Sequence, residues 1–323
     1  MSFSFVFWIF WIFASPSSSL SPAPRILFIQ PSDSDYNQQP WEGQQPYSLV
    51  ELSQIDVLNY VQYHNYSYLR YQINEYESHD CHPVWSKVYG LYHAMMTSST
   101  SIDTAYDYII VLDLDIFFMD YQQSIIEKIN QWDPLQQSLI YMPSDTDEET
   151  SYLIPNGSNE QVLNVNTGFQ IWKVHPVTKE LIKQWKTCLE MIPGCQKWKY
   201  DWPFDQGAFN EYIRPLINQA STSTTGFLSS SEQLVTTKNL LTIIPCDEAN
   251  GFPEEYENFL ISQPDGVRHE LGNHKCSGKF VSHFWEESKR YNHEKLQKLI
   301  FQKMMKQKLE LIQQSLQELE VTL

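Results

Sequence analysis

The sequence predicts an α/β fold built on a mostly parallel central sheet, and three observations carry that expectation. Strand-like and helix-like segments alternate from Arg25 onward, the pattern of a sheet wrapped by helices. Ile26–Ile29 is an unbroken apolar run, and Tyr108–Met119 is the most apolar strand of the chain, as strands buried on both faces require. The 323 residues, 42% of them hydrophobic, suffice for one large domain or two small ones with a sizeable core.

In chain order, Ile26–Ile29 runs towards Pro31 as the first strand. Ser48–His64 spaces Leu49, Leu52, Ile55, Leu58 and Val61 as a helix does. Tyr66–Ile73 alternates apolar or aromatic residues with polar ones and reads as a second strand. Trp85–Met96 returns to helical spacing, with Val88, Leu91 and Met95 on one side. A Ser/Thr loop, Thr97–Ser101, leads towards the strand Tyr108–Met119. Asn166–Val174 is a short strand, Thr178–Met191 a helix carrying Leu181, Trp185 and Leu189, and Asp205–Ile217 a further helix. Gln219–Ser231 is a Ser/Thr-rich loop, and Leu240–Ile244 and Phe280–Phe284 are late strands. Glu286–Leu323 reads as one long C-terminal helix with seven bases against six acids. Its stripe of Leu296, Ile300, Met304, Leu311 and Leu319 would pack on the body, pair with a second copy or lie on a membrane surface.

Acids outnumber bases 39 to 22, so the surface repels a phosphate backbone and argues against nucleic-acid binding. No GxGxxG, GxxxxGK[ST] or GxSxG occurs, which removes dinucleotide, P-loop and nucleophile-elbow readings. Phe3–Ala14 is apolar apart from Ser4; it is too short for a membrane span of about twenty residues but suits a signal peptide or a short anchor. Residues 1–23 are assigned to that segment, 24–290 to the main domain and 291–323 to the tail. The sequons Asn65-Tyr-Ser and Asn156-Gly-Ser agree with a secretory address in the Golgi or ER lumen or outside the cell. Five cysteines allow two bridges, with Cys188–Cys195 across a Pro-Gly turn as the first pair and Cys246–Cys276 as the second.

The chemistry centres on Asp113-Leu-Asp115. Residues two apart on a strand share a face, so the two carboxylates are expected to project together. Placed after an apolar strand they repel one another unless a cation lies between them. Hard divalent ions such as Mg²⁺ and Mn²⁺ fill that role and often carry substrate phosphates. Loops beyond the carboxyl ends of parallel strands are also where such sheets bind ligands.

The Leu112-Asp-Leu-Asp115 run resembles the D-x-D motif of metal-dependent nucleotide-sugar transferases with the GT-A fold. Trp85-Ser-Lys87, Asn166-Thr-Gly168, Trp202-Pro-Phe-Asp205-Gln206 and His283-Phe-Trp occur in the order that family would place them. The sequence is most similar to the retaining group of fungal galactosyl- and mannosyltransferases and plant xyloglucan xylosyltransferases, over roughly residues 24 to 290. The resemblance implies a glycosyltransferase that moves a sugar from a nucleotide-diphosphate donor, a UDP-sugar, to a glycan or glycoprotein hydroxyl with retention. It implies Mn²⁺, or Mg²⁺, held by Asp113, Asp115 and His283, with Asp113 also reaching the donor ribose. It places Lys87 and Lys289 at the diphosphate, Asn166 beside the transferred sugar, and Asp205 and Gln206 close to the anomeric carbon. Two departures stand out: Glu286 replaces the glycine expected three residues after the histidine, and Phe204 replaces an acid before Asp205-Gln206.

Plainer readings exist for each residue. His283 could be a core histidine, Lys87 a solvated helix residue, and Asp205 a charge at a helix N-terminus. A non-catalytic glycan-binding relative and a secreted calcium-binding interaction protein are the alternatives to an enzyme. His269-Glu-Leu-Gly-Asn-His274 imitates a zinc-protease helix, but its histidines are five apart and Gly272 interrupts. His79-Asp-Cys-His82 lacks a second metal-binding half, and Asp145-Thr-Asp-Glu-Glu149 reads as a solvated loop.

Overall fold

The structure is a computed structural model; it describes residues 23–32, 49–72, 81–98, 105–145, 152–153, 162–222, 240–251 and 276–284, with Gln302, Met305 and Lys306. The strands, in chain order, are β1 (Ile26–Ser32), β2 (Ser67–Gln72), β3 (Tyr108–Leu112), β4 (Ile116–Phe118), β5 (Ile140–Pro143), β6 (Tyr152–Leu153), β7 (Val162–Leu163), β8 (Phe169–Lys173), β9 (Leu241–Ile244) and β10 (Val281–His283). Six form the central sheet in the order β2-β1-β3-β8-β5-β9. β1 is parallel to β2 and β3, and β5 to β9, while β8 runs antiparallel to both β3 and β5. The mainly parallel sheet is the one the sequence predicts.

Helices α1 (Leu49–Tyr63), α2 (Ser86–Thr97), α3 (Ile125–Trp132) and α4 (Pro176–Met191) cover the sheet. Alternate side chains of a strand point to opposite faces, and here both faces are buried. Leu27, Ile29, Ile109 and Val111 pack with Trp85, Leu91, Met95, Leu181 and Trp185. Ile26, Phe28, Ile110 and Leu112 pack instead with Val57, Tyr60, Val61, Ile125 and Ile129. That is why the runs read as unbroken rather than alternating. Truncating a fully buried aromatic such as Trp185 would cost about 3–5 kcal/mol.

Three local differences from the sequence reading have clear causes. Tyr108–Met119 is not one strand: the chain leaves the central sheet after Leu112, turns through Asp113-Leu-Asp115, and re-forms as β4 against β10. The turn is pinned by backbone and side-chain bonds, the first of them from β1 and the last from α1. Gln30 Nε2 donates to Asp113 O (3.2 Å), Asp113 N to Gly168 O (2.8 Å) and Ser53 Oγ to Ile116 O (2.7 Å). The helix expected over Asp205–Ile217 is α5 (Phe204–Ala208), a π-helical turn over Phe209–Ile213, and α6 (Arg214–Thr222), which takes over the start of the expected Ser/Thr loop. Helix α3 and strand β5 escaped the periodicity reading. Helix α3 still carries a local signal, since Ser124 and Glu127 form a reciprocal capping box worth about 1 kcal/mol.

Helix α7 (Cys246–Ala249) follows β9. Both expected bridges are present, Cys188–Cys195 and Cys246–Cys276. No helix among the described residues is long and apolar enough to cross a membrane. The N-terminal apolar run, Asn156, His269–His274, Lys289 and nearly all of the C-terminal tail lie outside the described residues.

Candidate active site

The sheet's polarity assembles the site. β3, β5 and β9 end at one edge, where Asp113, Asp145 and Asn250 follow them; reversed β8 begins at that edge, so Asn166-Thr-Gly168 arrives there too. Helix α2 opens there with Ser86-Lys87, and β10 brings His283 alongside β4.

One oxygen each from Asp113 and Asp115 and one ring nitrogen of His283 lie within 4.8 Å of one another. His283 Nε2 is 3.4 Å from Asp115 Oδ1 and 3.7 Å from Asp113 Oδ2. Asp115 and His283 are each only 5% exposed. The antiparallel pair sets their approach, because His283 faces Ile116 in register and Phe284 N donates to Asp115 O (3.0 Å). Glycine is required at position 168: a Cβ there would lie 2.3 Å from His283 Cε1. Two carboxylates and an imidazole converging in a nearly closed space fit a hard or borderline divalent cation. The three residues come together as the sequence predicts, through the turn rather than through a shared strand face.

Lys87, expected at the diphosphate, lies between two carboxylates. Its ammonium, 3% exposed, lies 3.0 Å from Asp113 Oδ1 and 3.2 Å from Asp205 Oδ2, so it joins the Asp113–Asp115–His283 group to Asp205. Burial works against the charged lysine, but Asp113 and Asp205 outweigh it and hold its pKa above the usual value. Burial raises the Asp205 pKa to about 6; Lys87 opposes the shift and Asp113 adds to it. Any phosphate that reached Lys87 would have to share it with two carboxylates.

The second half of the site is an amide network. Thr167 Oγ1 donates to Asp205 Oδ2 (2.9 Å), and Thr167 N to Gln206 Oε1 (3.3 Å). Asn166 Oδ1 accepts Gly168 N (2.8 Å). The remaining ends of both amides meet Asp145: Asn166 Nδ2 donates to its Oδ1 and Gln206 Nε2 to its Oδ2, each at 3.1 Å. Asp145 therefore belongs to the site and is not merely part of a solvated loop. No motif marks it; its position at the exit of β5, a strand missed from sequence, is the signal that would have found it. Asn250 was missed although β9 was expected, because no motif marks it and its partner His283 lies 33 residues further on. It is fully buried, its Oδ1 lies 3.0 Å from His283 Nδ1, and it follows the short helix α7 at the exit of β9.

Asp205 and Gln206 are held in place from the outer side by aromatic packing. Trp198 lies so close over α5 that a Cβ at Gly207 would be 2.5 Å from its ring, and Trp85 Nε1 donates to Trp198 O (3.1 Å). Phe204 stacks on His82 with ring centroids 3.8 Å apart.

Residues 23–240 match the model of the galactosyl transferase GMA12/MNN10 family, two thirds of the chain. No curated protein matches. Among solved structures, the chain is similar to a glycosyltransferase involved in glycosylation of the major capsid of PBCV-1 (13% identity, TM-score 0.45, covering 83% of this chain and 97% of that one). It is similar to mouse xyloside xylosyltransferase 1 (11% identity, TM-score 0.40, covering 80% and 97%). It is also similar to the glycosyltransferase GlyE of Streptococcus pneumoniae (10% identity, TM-score 0.38, covering 87% and 60%).

Proposed function

The chain belongs to the galactosyl transferase GMA12/MNN10 family and is a glycosyltransferase, and on that premise we propose that it moves a sugar from a UDP- or GDP-sugar to a glycan or glycoprotein hydroxyl with retention, using Mn²⁺ or Mg²⁺. The observation that carries the reading is the convergence of Asp113, Asp115 and His283 at the sheet edge that also gathers Asp205, Gln206 and Asn166. Among the described residues, Lys87 is the ammonium set between Asp113 and Asp205, one positive charge beside the three carboxylates Asp113, Asp115 and Asp205. With Asp145 also in the site, a dication offsets most of that excess. When bound, such an ion supplies Lewis-acid stabilisation of the departing nucleoside diphosphate.

The chain's own residues divide the rest of the work. Asp113, Asp115 and His283 hold the metal, with Asp113 turned also towards the donor. Asn166 and Gln206 orient sugar hydroxyls from amides whose backbone sides are already fixed, which lowers the cost of ordering them at each turnover. Asp205 supports positive charge developing at the anomeric carbon. Its burial (1% exposed) and the bonds from Thr167 and Lys87 to Oδ2 favour same-face substitution over a covalent glycosyl-aspartate. Lys289 is assigned to the diphosphate, and the secretory lumen to the protein's place of work.

The direct test is release of UDP or GDP from a panel of UDP- and GDP-sugars, with Mn²⁺ or EDTA, followed by NMR of the product's anomeric proton. Metal-dependent turnover of one donor with a retained anomer supports the reading. An inverted product, or glycosylated Asp205 trapped and seen by mass spectrometry, would overturn its stereochemical part. Turnover of no donor would overturn the activity itself.

A further inference from the structure

We infer that Asn250 is a positioning residue that fixes the tautomer and the aim of His283, so that Nε2 and not Nδ1 is the metal-facing nitrogen. The inference rests on the metal site proposed above and adds a residue to it. Asn250 Nδ2 donates to two backbone carbonyls, Ser144 O at 3.0 Å and Asp145 O at 2.5 Å. An amide nitrogen has two hydrogens, and these two carbonyls take both. The NH₂ must therefore face the 144–145 backbone, and Oδ1 must be the atom 3.0 Å from His283 Nδ1. That oxygen can only accept. A hydrogen bond at this distance therefore requires the proton on Nδ1, which leaves the Nε2 lone pair turned towards Asp113 and Asp115.

The surroundings hold the pair still. Asn250 N donates to Cys246 O (2.9 Å) at the end of α7, and His283 N donates to Gly251 O (3.2 Å). The Cys246–Cys276 bridge ties α7 to the segment that runs into β10. Gly168 closes the remaining side of the ring. His283 thus meets Asn250 with its side chain and Gly251 with its backbone, and a metal ligand held in this way keeps one orientation with or without the ion. A partner of this kind typically changes metal affinity by about 10–100-fold when lost.

The two tests are a Mn²⁺ titration by calorimetry, without nucleotide, and the ¹⁵N spectrum of His283 in the Mg²⁺-loaded full chain at pH 8. The account expects the proton on Nδ1 in the wild type. Asn250→Leu should weaken Mn²⁺ binding about 10–100-fold. Asn250→Asp keeps an oxygen facing Nδ1 while losing both donors to the backbone; it should retain Mn²⁺ affinity within about threefold of wild type while unfolding at a lower temperature, as the leucine variant does. Equal loss of Mn²⁺ affinity in both variants would reduce Asn250 to a structural prop, and a proton on Nε2 of wild-type His283 would overturn the inference outright. If the leucine variant does not fold, the wild-type spectrum still decides. If wild-type chain binds no Mn²⁺, the metal site itself has failed, an outcome distinct from Mn²⁺ bound with His283 in the other tautomer.

Discussion

The two halves of the site are held by different means. The half proposed to hold the metal (Asp113, Asp115, His283) is built from backbone: a turn at the exit of β3, a two-stranded pairing of β4 with β10, and a disulfide whose cysteines are 30 residues apart. The half proposed to face the sugar (Asp205, Gln206, Asn166, Asp145) is built from side chains: an amide network on one side and stacked aromatics on the other, beside a disulfide spanning only 7 residues. Lys87 joins them through its two carboxylates, and Asn250 joins them again by bonding both His283 and Asp145 O. The contrast teaches that metal binding should depend on long-range covalent order, whereas handling of the sugar should depend on local hydrogen bonding.

The largest effect that could break this division is at the joint. Removing one partner of a buried ion pair typically costs about 3–5 kcal/mol because the other charge is left uncompensated. Lys87→Met should therefore lower the melting temperature, weaken nucleotide binding and, by removing a cation beside Asp113, tighten Mn²⁺ binding, measured by calorimetry. If metal affinity stays at the wild-type value, the halves are independent and Lys87 serves Asp205 alone.

The disulfides sharpen the same comparison. Loop-closure entropy alone assigns about 4 kcal/mol to the longer loop and about 2 kcal/mol to the shorter one. Replacing Cys246 and Cys276 by serine should therefore cost more stability, and should also weaken Mn²⁺ binding. Replacing Cys188 and Cys195 should leave Mn²⁺ affinity unchanged and lower turnover instead. A reversed pattern would contradict the assignment of each bridge to its half.

Asp145→Asn is a smaller change, isosteric and confined to the sugar-facing half. It turns an acceptor of two amide hydrogens into a group that can satisfy only one of them, so kcat/KM should fall about tenfold or more, the scale of one hydrogen bond to a charged group, about 1.5 kcal/mol or above. Metal affinity should not move. A separate signal in the same half is a pH dependence of stability. Asp205, with its pKa raised to about 6 by burial, binds its proton more tightly when folded, so the stability it contributes is present below the unfolded value of about 4 and lost as pH rises to about 6. Melting curves of wild type against Asp205→Asn across that window should show a decline in the wild type that the variant lacks.

The same division explains what the sequence disclosed. The convergence of Asp113, Asp115 and His283 was legible because the two aspartates lie in a short motif after an apolar strand and the family resemblance added His283; the antiparallel β4–β10 pair brings them together. The break at Asp113 was not legible, since twelve mostly apolar residues give no sign that their partners change from the central sheet to β10. Asp145 and Asn250 were hidden for a different reason. Each follows a strand exit, and the side chains they serve lie far along the chain, Asn250 opposite His283 and Asp145 opposite Asn166 and Gln206. No local pattern encodes such a pairing; the strand order does.

The measurement that most directly tests the central claim, a divalent-metal donor site at Asp113, Asp115 and His283, is a thermal-shift series on the full chain with Mn²⁺, UDP and GDP singly and in pairs, repeated on Asp115→Asn. Ligand at one hundred times its dissociation constant stabilises the folded state by about 2.7 kcal/mol. The account predicts a shift that needs Mn²⁺ together with one nucleotide and disappears in the variant. An undiminished shift in Asp115→Asn, or none with any pair in the wild type, would contradict it.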